Sequence, residues 1–420
     1  MRSILRVFPN RFFANLAIAG LIAGLVTSKV VLSVATITLL CNALINIHAG
    51  SNLKKWISDT TNLLFIALFI VYLLSGLYST DTAFWVDRCR MKLPFIALPL
   101  GFTAVQLMDA KTLHRWLAFY VYVISIAAWV CGVNYFLHFD TLNERLSRGQ
   151  PIPAPLNDHI RFSLEMAFAI IAGMYIYSKG FYFYRKLEKG ILLICIISLI
   201  ILLHVFSVRS GIIAFYIGTC VVIAHFILST KRYLIGALSL AGLALLLFFS
   251  TRYIPSLKNR IGYFAYEWEL IQKGELNPEH SDAQRILSIQ YGWEIGRAHP
   301  IGGVGIGDVQ DVMYAKYAEK YGKVEGKSKL PHNQFIYVFA GTGIIGLCIF
   351  LFAVAWPIFH KKRGAYILFL VFNCMLIFSF LSEHTLEIQI GTAFYLVFLL
   401  LLKKHLDDKQ AEAALYSLHA

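Results

Sequence analysis

His332 and Asn333 follow Pro331 at the start of a long apolar stretch, which puts an imidazole at a helix N-terminus close to a membrane surface. Histidine exchanges a proton near neutral pH, so this placement suits a general base. The plainer role is a residue that anchors a helix at headgroup level. Arginines are the second feature. Arg209 sits in Ser207-Val208-Arg209-Ser210-Gly211 between two apolar blocks that leave almost no loop, Arg161 opens another block, and Arg260 and Arg285 fall in a long polar segment. A charge at the bilayer centre costs roughly +2.5 to +3.5 kcal/mol on insertion scales. Guanidinium forks match phosphate oxygens bidentately, so converging arginines suit an anionic ligand such as a diphosphate, with a structural ion pair or a headgroup contact as the alternative for each. Glu383 and His384 lie between the last two apolar blocks, where Glu383 could orient a base, pair with an arginine or simply be solvated. Asp81 and Asp87 occupy a short loop, and no carboxylate pair has the DxD spacing of metal-dependent glycosyl transfer, so a metal is not indicated.

The run Gly302-Gly303-Val304-Gly305-Ile306-Gly307-Asp308 superficially resembles a nucleotide-binding loop. A dinucleotide fingerprint needs a preceding strand within a βαβ unit, and the surrounding sequence supplies neither. A tight turn beside the bilayer is the expected role, with phosphate held on its amides as the alternative.

The elements that must position these residues follow from composition. Of 420 residues, 58% are hydrophobic and only 15% charged, with a mean hydropathy of +0.64. A soluble chain carries about 25% charged residues. The apolar residues come in blocks long enough to cross a hydrocarbon core, which takes roughly 20 helical residues. Spans are expected near residues 12–28, 30–47, 60–79, 92–108, 116–138, 160–178, 190–207, 210–228, 233–254, 332–356, 364–381 and 386–402, an all-α polytopic bundle of about twelve helices. The first block is read as a span rather than a signal peptide, because the second follows almost at once. Of the seven cysteines, only Cys89 lies near a loop, so neither a disulfide framework nor a CxxC metal site follows.

The net charge of +14 comes from residues scattered through short loops rather than clustered on one face, which argues against nucleic acid. With the N-terminus inside, the cytoplasmic segments hold 19 of the 38 basic residues and the short outer loops eight. The positive-inside rule then places both termini in the cytoplasm. Residues 1–254 form an N-terminal transmembrane bundle, 255–331 a helical loop domain on the outer side, periplasmic in a Gram-negative cell, and 332–420 the last three spans and a tail.

Within the loop, helices are expected from Ser256 to Lys273, from Ser281 through Trp293, and from Asp308 to Lys320. Ser281 and Gln284 have the spacing of a capping box, and Ile286, Ile289 and Trp293 make an apolar stripe. The basic stretch Lys323 to Pro331 reads as a flap over a site.

Taken in order, these pieces resemble the O-antigen ligase and polymerase superfamily of membrane glycosyltransferases. Arg209-Ser210-Gly211 is similar to its Ser-Arg-Gly motif, with Val208 in place of the usual serine. Arg285, Trp293, His299-Pro300 and Gly303 to Gly307 resemble the family's arginine, tryptophan, His-Pro and Gly-x-Gly run, and His332-Asn333, with Phe335 and Ile336 after it, its His-Asn signature. The resemblance implies inverting, metal-independent and cofactor-free transfer of a glycan from undecaprenyl diphosphate to lipid A core oligosaccharide, at the outer face of the bacterial inner membrane. His332 would be the catalytic base, Arg285 and Arg260 would neutralise the leaving diphosphate, Arg209 and Arg161 would help bind it, and Asn333 and Glu383 would support the base. O-antigen polymerases and protein O-oligosaccharyltransferases share the signature and differ in acceptor. A non-enzymatic exporter or flippase is the reading from another class; it has no need of a base beside a folded outer loop.

Overall fold

In the computed structural model, residues 10–45, 48–105, 107–180, 186–322 and 330–419 are described, and among them no strand occurs. The chain begins with α1 (Asn10–Thr27), α2 (Lys29–Ile45), α3 (Ala49–Ser58), α4 (Thr60–Ser75), α5 (Thr82–Lys92) and α6 (Pro94–Thr103). It continues with α7 (Ala110–Leu137), α8 (Phe139–Ser147), α9 (His159–Ser178), α10 (Lys186–Phe206), α11 (Arg209–Thr230) and α12 (Tyr233–Tyr253). The long segment after α12 supplies α13 (Pro255–Gln272), α14 (Ser281–Ala298) and α15 (Val309–Tyr321), and the chain closes with α16 (Gln334–Phe359), α17 (Ile367–Ser382) and α18 (Gln389–His419).

Every expected span coincides with a helix, but seven helices are long and apolar enough by themselves to cross a membrane, or up to eight if bent α2 and α3 count as one span. The shortfall from twelve has local causes. Three apolar helices, Arg11–Thr27, Thr60–Ser75 and Ile367–Ser382, are shorter than a full crossing. The expected 92–108 span is divided: Lys92 ends α5, and α6 starts on Pro94 and contains Pro99.

Aspartates and an asparagine start several helices by accepting their free amides. Asp59 accepts from Thr61 and Asn62, Asp109 from Thr112, Asp158 from Arg161, and Asn333 from Ile336. Inside a bilayer, lipid is as apolar as a leucine core, so the helices associate through close packing. Accordingly, α9 and α11 meet through Gly211, where a Cβ would lie 2.4 Å from that of Ser163, and through Gly218, where it would lie 2.4 Å from Ile171. Buried windows of 78% in α9 and 83% in α18 put these helices at the centre, whereas 11% in α12 leaves it at the edge facing lipid.

The α13 to α15 segment is docked on the bundle, and glycines make the docking possible. Amides of Val304 and Gly305 donate to the carbonyls of Ala340 and Gly341, and Ile344 donates to Pro300, where α16 is broken at Gly343 (φ 64°, ψ −162°). A loop thus satisfies the polar groups that the break frees within a span. Asp308 begins α15 without capping it. Its carboxylate instead accepts from the amides of Thr80 and Asp81, tying the loop to the α4–α5 turn.

Two expectations within the loop need correction. α14 starts one residue earlier than a cap by Ser281 and Gln284 would set it: His280 is the N-cap residue, and Glu267 of α13 accepts from the amides of Ser281 (3.0 Å) and Asp282 (2.7 Å). The Ile286 and Trp293 stripe points outward, because α14 packs through Ala283, Leu287, Tyr291 and Ile295. Most of the expected flap, residues 323–329, lies outside the described residues.

Candidate functional site

The site is assembled at the end of the bundle where α9, α11 and α18 begin and α10 and α17 finish. His332 immediately precedes Asn333, the N-cap residue of α16, and its backbone amide donates to Ser288 on α14 (3.1 Å). Asn333 fixes the same junction twice, accepting from Ile336 and donating to the carbonyl of Leu381 (3.0 Å). Glu383, the C-cap residue of α17, is only 1% exposed. Its Oε2 accepts from His332 Nδ1 at 3.0 Å and its Oε1 from Arg285 Nη2 at 2.6 Å. With the proton on Nδ1 committed to the carboxylate, Nε2 of His332 carries the free lone pair.

Burial alone would raise the Glu383 pKa. The hydrogen bond from His332 and the charges of His332, Arg285 and Arg161 outweigh it and hold the carboxyl down at about 2, so it is ionised at neutral pH. His384 behaves oppositely: burial, then the Arg161 charge, lower its pKa to about 3, and its Nδ1 donates to the Pro331 carbonyl at 3.2 Å.

The four arginines surround this pair unequally. Arg209, Arg260 and Arg285 line one pocket with His159, Ser207 and Ser210. Arg209 is held bidentately by Asp282 (3.0 and 2.5 Å) and lies over the Phe264 ring. Arg260 donates to the Gly149 carbonyl and, among the described residues, makes no ion pair. Burial and the charge of Arg209, with that of Arg285, lower its pKa against the opposing effect of Asp282. Arg161 is 5% exposed, stands 3.7 Å from Asp158, and has Nε and Nη2 buried without partners. Unpaired buried donors of this kind are costly to leave unmet, and the charges of Arg209, Arg260 and Arg285 repel one another. A polyanion would satisfy both conditions.

His332, Glu383 and His384 place three ligand-type atoms within 4.8 Å of one another. Both Glu383 oxygens are already engaged, one His384 nitrogen is bonded to Pro331, and the surrounding charges are guanidinium groups. That donor set favours an anion over a cation.

The glycine-rich turn does not provide phosphate-binding amides. Besides the bonds of Val304 and Gly305 to α16, Ile306 and Gly307 donate to the hydroxyls of Ser75 and Ser79. The glycines serve close approach instead: a Cβ on Gly303 would come within 2.4 Å of Gly341 backbone, and one on Gly307 within 2.5 Å of the Asp81 carbonyl.

The structure therefore brings His332, Glu383 and Arg285 into direct contact, with Asn333 fixing the backbone beside them, and sets Arg161, Arg209 and Arg260 nearby. Sequence reading gave Glu383 a supporting part only, because its burial depends on the turn after α17. Asp282 and Glu267 carried no signal beyond being acidic residues on expected loop helices.

The site is an imidazole–carboxylate pair beside a guanidinium pocket, at one end of a polytopic helical bundle. Residues 191–351 match the family model described as O-antigen ligase, a likeness that supports the O-antigen ligase superfamily and a ligase- or polymerase-type enzyme. The matched stretch includes Arg209, Arg260, Arg285 and His332, and leaves out Arg161 and Glu383. Comparison with curated proteins gave no match.

Proposed function

We propose that this protein is an O-antigen ligase that transfers a glycan from undecaprenyl diphosphate to a hydroxyl of lipid A core oligosaccharide at the periplasmic face of the inner membrane. The observation that carries the reading is the contact of His332 with a buried, ionised Glu383 that is also held by Arg285. In this reading His332 Nε2 takes the proton of the acceptor hydroxyl as its oxygen attacks the anomeric carbon. The bond from that carbon to the diphosphate oxygen breaks, and its electron pair leaves with the diphosphate. Glu383 orients the ring and stabilises the imidazolium that forms. Arg285 and Arg260 meet the charge growing on the leaving group, and Arg209 and Arg161 hold the rest of the diphosphate, a preorganised electrostatic contribution that often dominates catalysis. Inversion follows from a single displacement at the anomeric carbon, and this chemistry asks for no cofactor.

The test is incubation of purified protein, in chelator, with undecaprenyl-diphosphate glycan and lipopolysaccharide lacking O-antigen. Transfer is expected to persist in chelator and to fall by about 10²- to 10⁴-fold in His332→Ala. Undiminished transfer by His332→Ala would remove the base assignment, loss in chelator the metal independence, and glycan elongation without lipid A acceptor would favour a polymerase.

A further inference from the structure

Directly beneath the candidate catalytic pair lies a second cluster of charged groups that the proposed reaction does not use. Lys92 and Glu387 form an ion pair of 2.6 Å with side chains 2% and 0% exposed. Oε1 of Glu387 also accepts from Tyr72 (2.9 Å) and from Gln334 Nε2 (2.8 Å). Removing two charges from solvent is expensive, and a well-packed apolar pair would often serve stability as well. A buried pair therefore invites the question of what its placement achieves.

Its bonds converge on one short element. The turn Thr385–Glu387 connects Glu383 and His384 to α18. Gln334 accepts from the Leu386 amide at 2.8 Å, Lys92 donates to the Leu386 carbonyl at 2.5 Å, and Arg88 donates to the Glu387 carbonyl at 2.9 Å. Gln334 lies two residues after His332, and Glu387 four residues after Glu383. The two segments that carry the pair are thus cross-linked once through His332 and Glu383, and again, one step away, through Gln334, Glu387 and Lys92.

We infer that Lys92 is a positioning residue, which acts through Glu387 and Gln334 to hold the Glu383 segment at hydrogen-bonding distance from His332. The inference rests on the proposed reading of the His332 site. It assigns a role to the α5–α6 junction, which touches neither the arginines nor His332. A shift of the turn would pull Glu383 away from the ring while leaving Arg209 on Asp282 and Arg260 on the Gly149 carbonyl, so it would lower the chemical step far more than donor binding.

The decisive variant is the charge-neutral double substitution Lys92→Met with Glu387→Gln. It removes the clamp on the Leu386 carbonyl, avoids the stranded charge of either single variant, and keeps an acceptor for Tyr72 and Gln334. In the full-length protein in detergent, the double variant is expected to regain the thermal midpoint that Lys92→Met alone loses. Its kcat is expected to remain about tenfold to 10²-fold below the parent's, while the donor KM changes by less than about twofold. Hydrogen exchange of the peptide covering residues 383–389 is expected to quicken in the double variant. A double variant with parental kcat, or with unchanged exchange over that peptide, overturns the inference. If the parent itself transfers no glycan, the reading of the site fails, and hydrogen exchange alone then decides the clamp: quickened exchange supports it and unchanged exchange overturns it.

Discussion

Glu383 has one oxygen on His332 and the other on Arg285, and both partners limit what a substitution there can do. In Glu383→Gln the amide is isosteric, but its NH2 group can be turned toward Nδ1, and the ring is then held in the wrong tautomer. We expect kcat to fall by about 10²-fold or more in steady-state transfer assays. Donor KM should not rise, because Arg285 loses its counter-charge and is free to meet the diphosphate. Acidity provides a second readout. The folded-state pKa of Glu383 is depressed from the ordinary 4.5 to about 2, so its contribution to stability is complete above about 4.5 and is lost as pH falls through about 2. Thermal unfolding of the detergent-solubilised protein should show this loss between those values. The same loss should be missing from the pH dependence of Glu383→Gln, and an identical acid limb in both proteins would place the effect elsewhere.

Between residue and bundle, the element that matters most is α16, because its start carries Asn333 and Gln334 and its break receives the loop between α14 and α15. Gly343 lies at φ 64° and ψ −162°, a region essentially reserved for glycine, and a Cβ there would sit 2.2 Å from the Ile301 carbonyl oxygen. Gly343→Ala should therefore cost about 2 kcal/mol or more, and limited proteolysis should cut the α14–α15 connection faster than in the parent. Cleavage at the parental rate would mean that the loop is not held by this junction. The break itself was not legible in the sequence, since Gly341, Thr342 and Gly343 sit in an otherwise continuous apolar run. Apolar block length did reveal where the helices lie, because that signal is local. The outward turn of Ile286 and Trp293 was hidden, because which face of α14 packs is decided by Pro331, Ile336 and Phe339 pressing on Gly292 and Gly296. The His332 and Arg285 positions were readable through motif order. Glu383 and Lys92 were harder to rank because their burial comes from contacts between segments some 300 residues apart in the case of Lys92 and Glu387.

At the scale of the molecule, the bundle has two chemically different ends. Lys403 with Asp59, Arg363 with Asp407, and His405 against the Met108 carbonyl mark one end. His332 and the four arginines mark the other, about half the length of α18 away, near its first residue Gln389. The short connections at the first end carry the larger share of lysine and arginine, so the positive-inside rule predicts that end in the cytoplasm and the site on the outer side. The proposed reaction asks for the same arrangement: the donor's lipid chain would stay in the bilayer while its diphosphate reached arginines at the surface, and an acceptor built into lipopolysaccharide would be met on the outer side. In a cysteine-free background, Glu279→Cys on the α13–α14 turn should react with a membrane-impermeant maleimide in intact spheroplasts. Arg232→Cys on the α11–α12 turn should react only after lysis. Labelling of Arg232→Cys alone in intact spheroplasts would invert the bundle and put the arginine pocket where no lipopolysaccharide acceptor waits, leaving the His332 site with a donor glycan and no ligase reaction to perform.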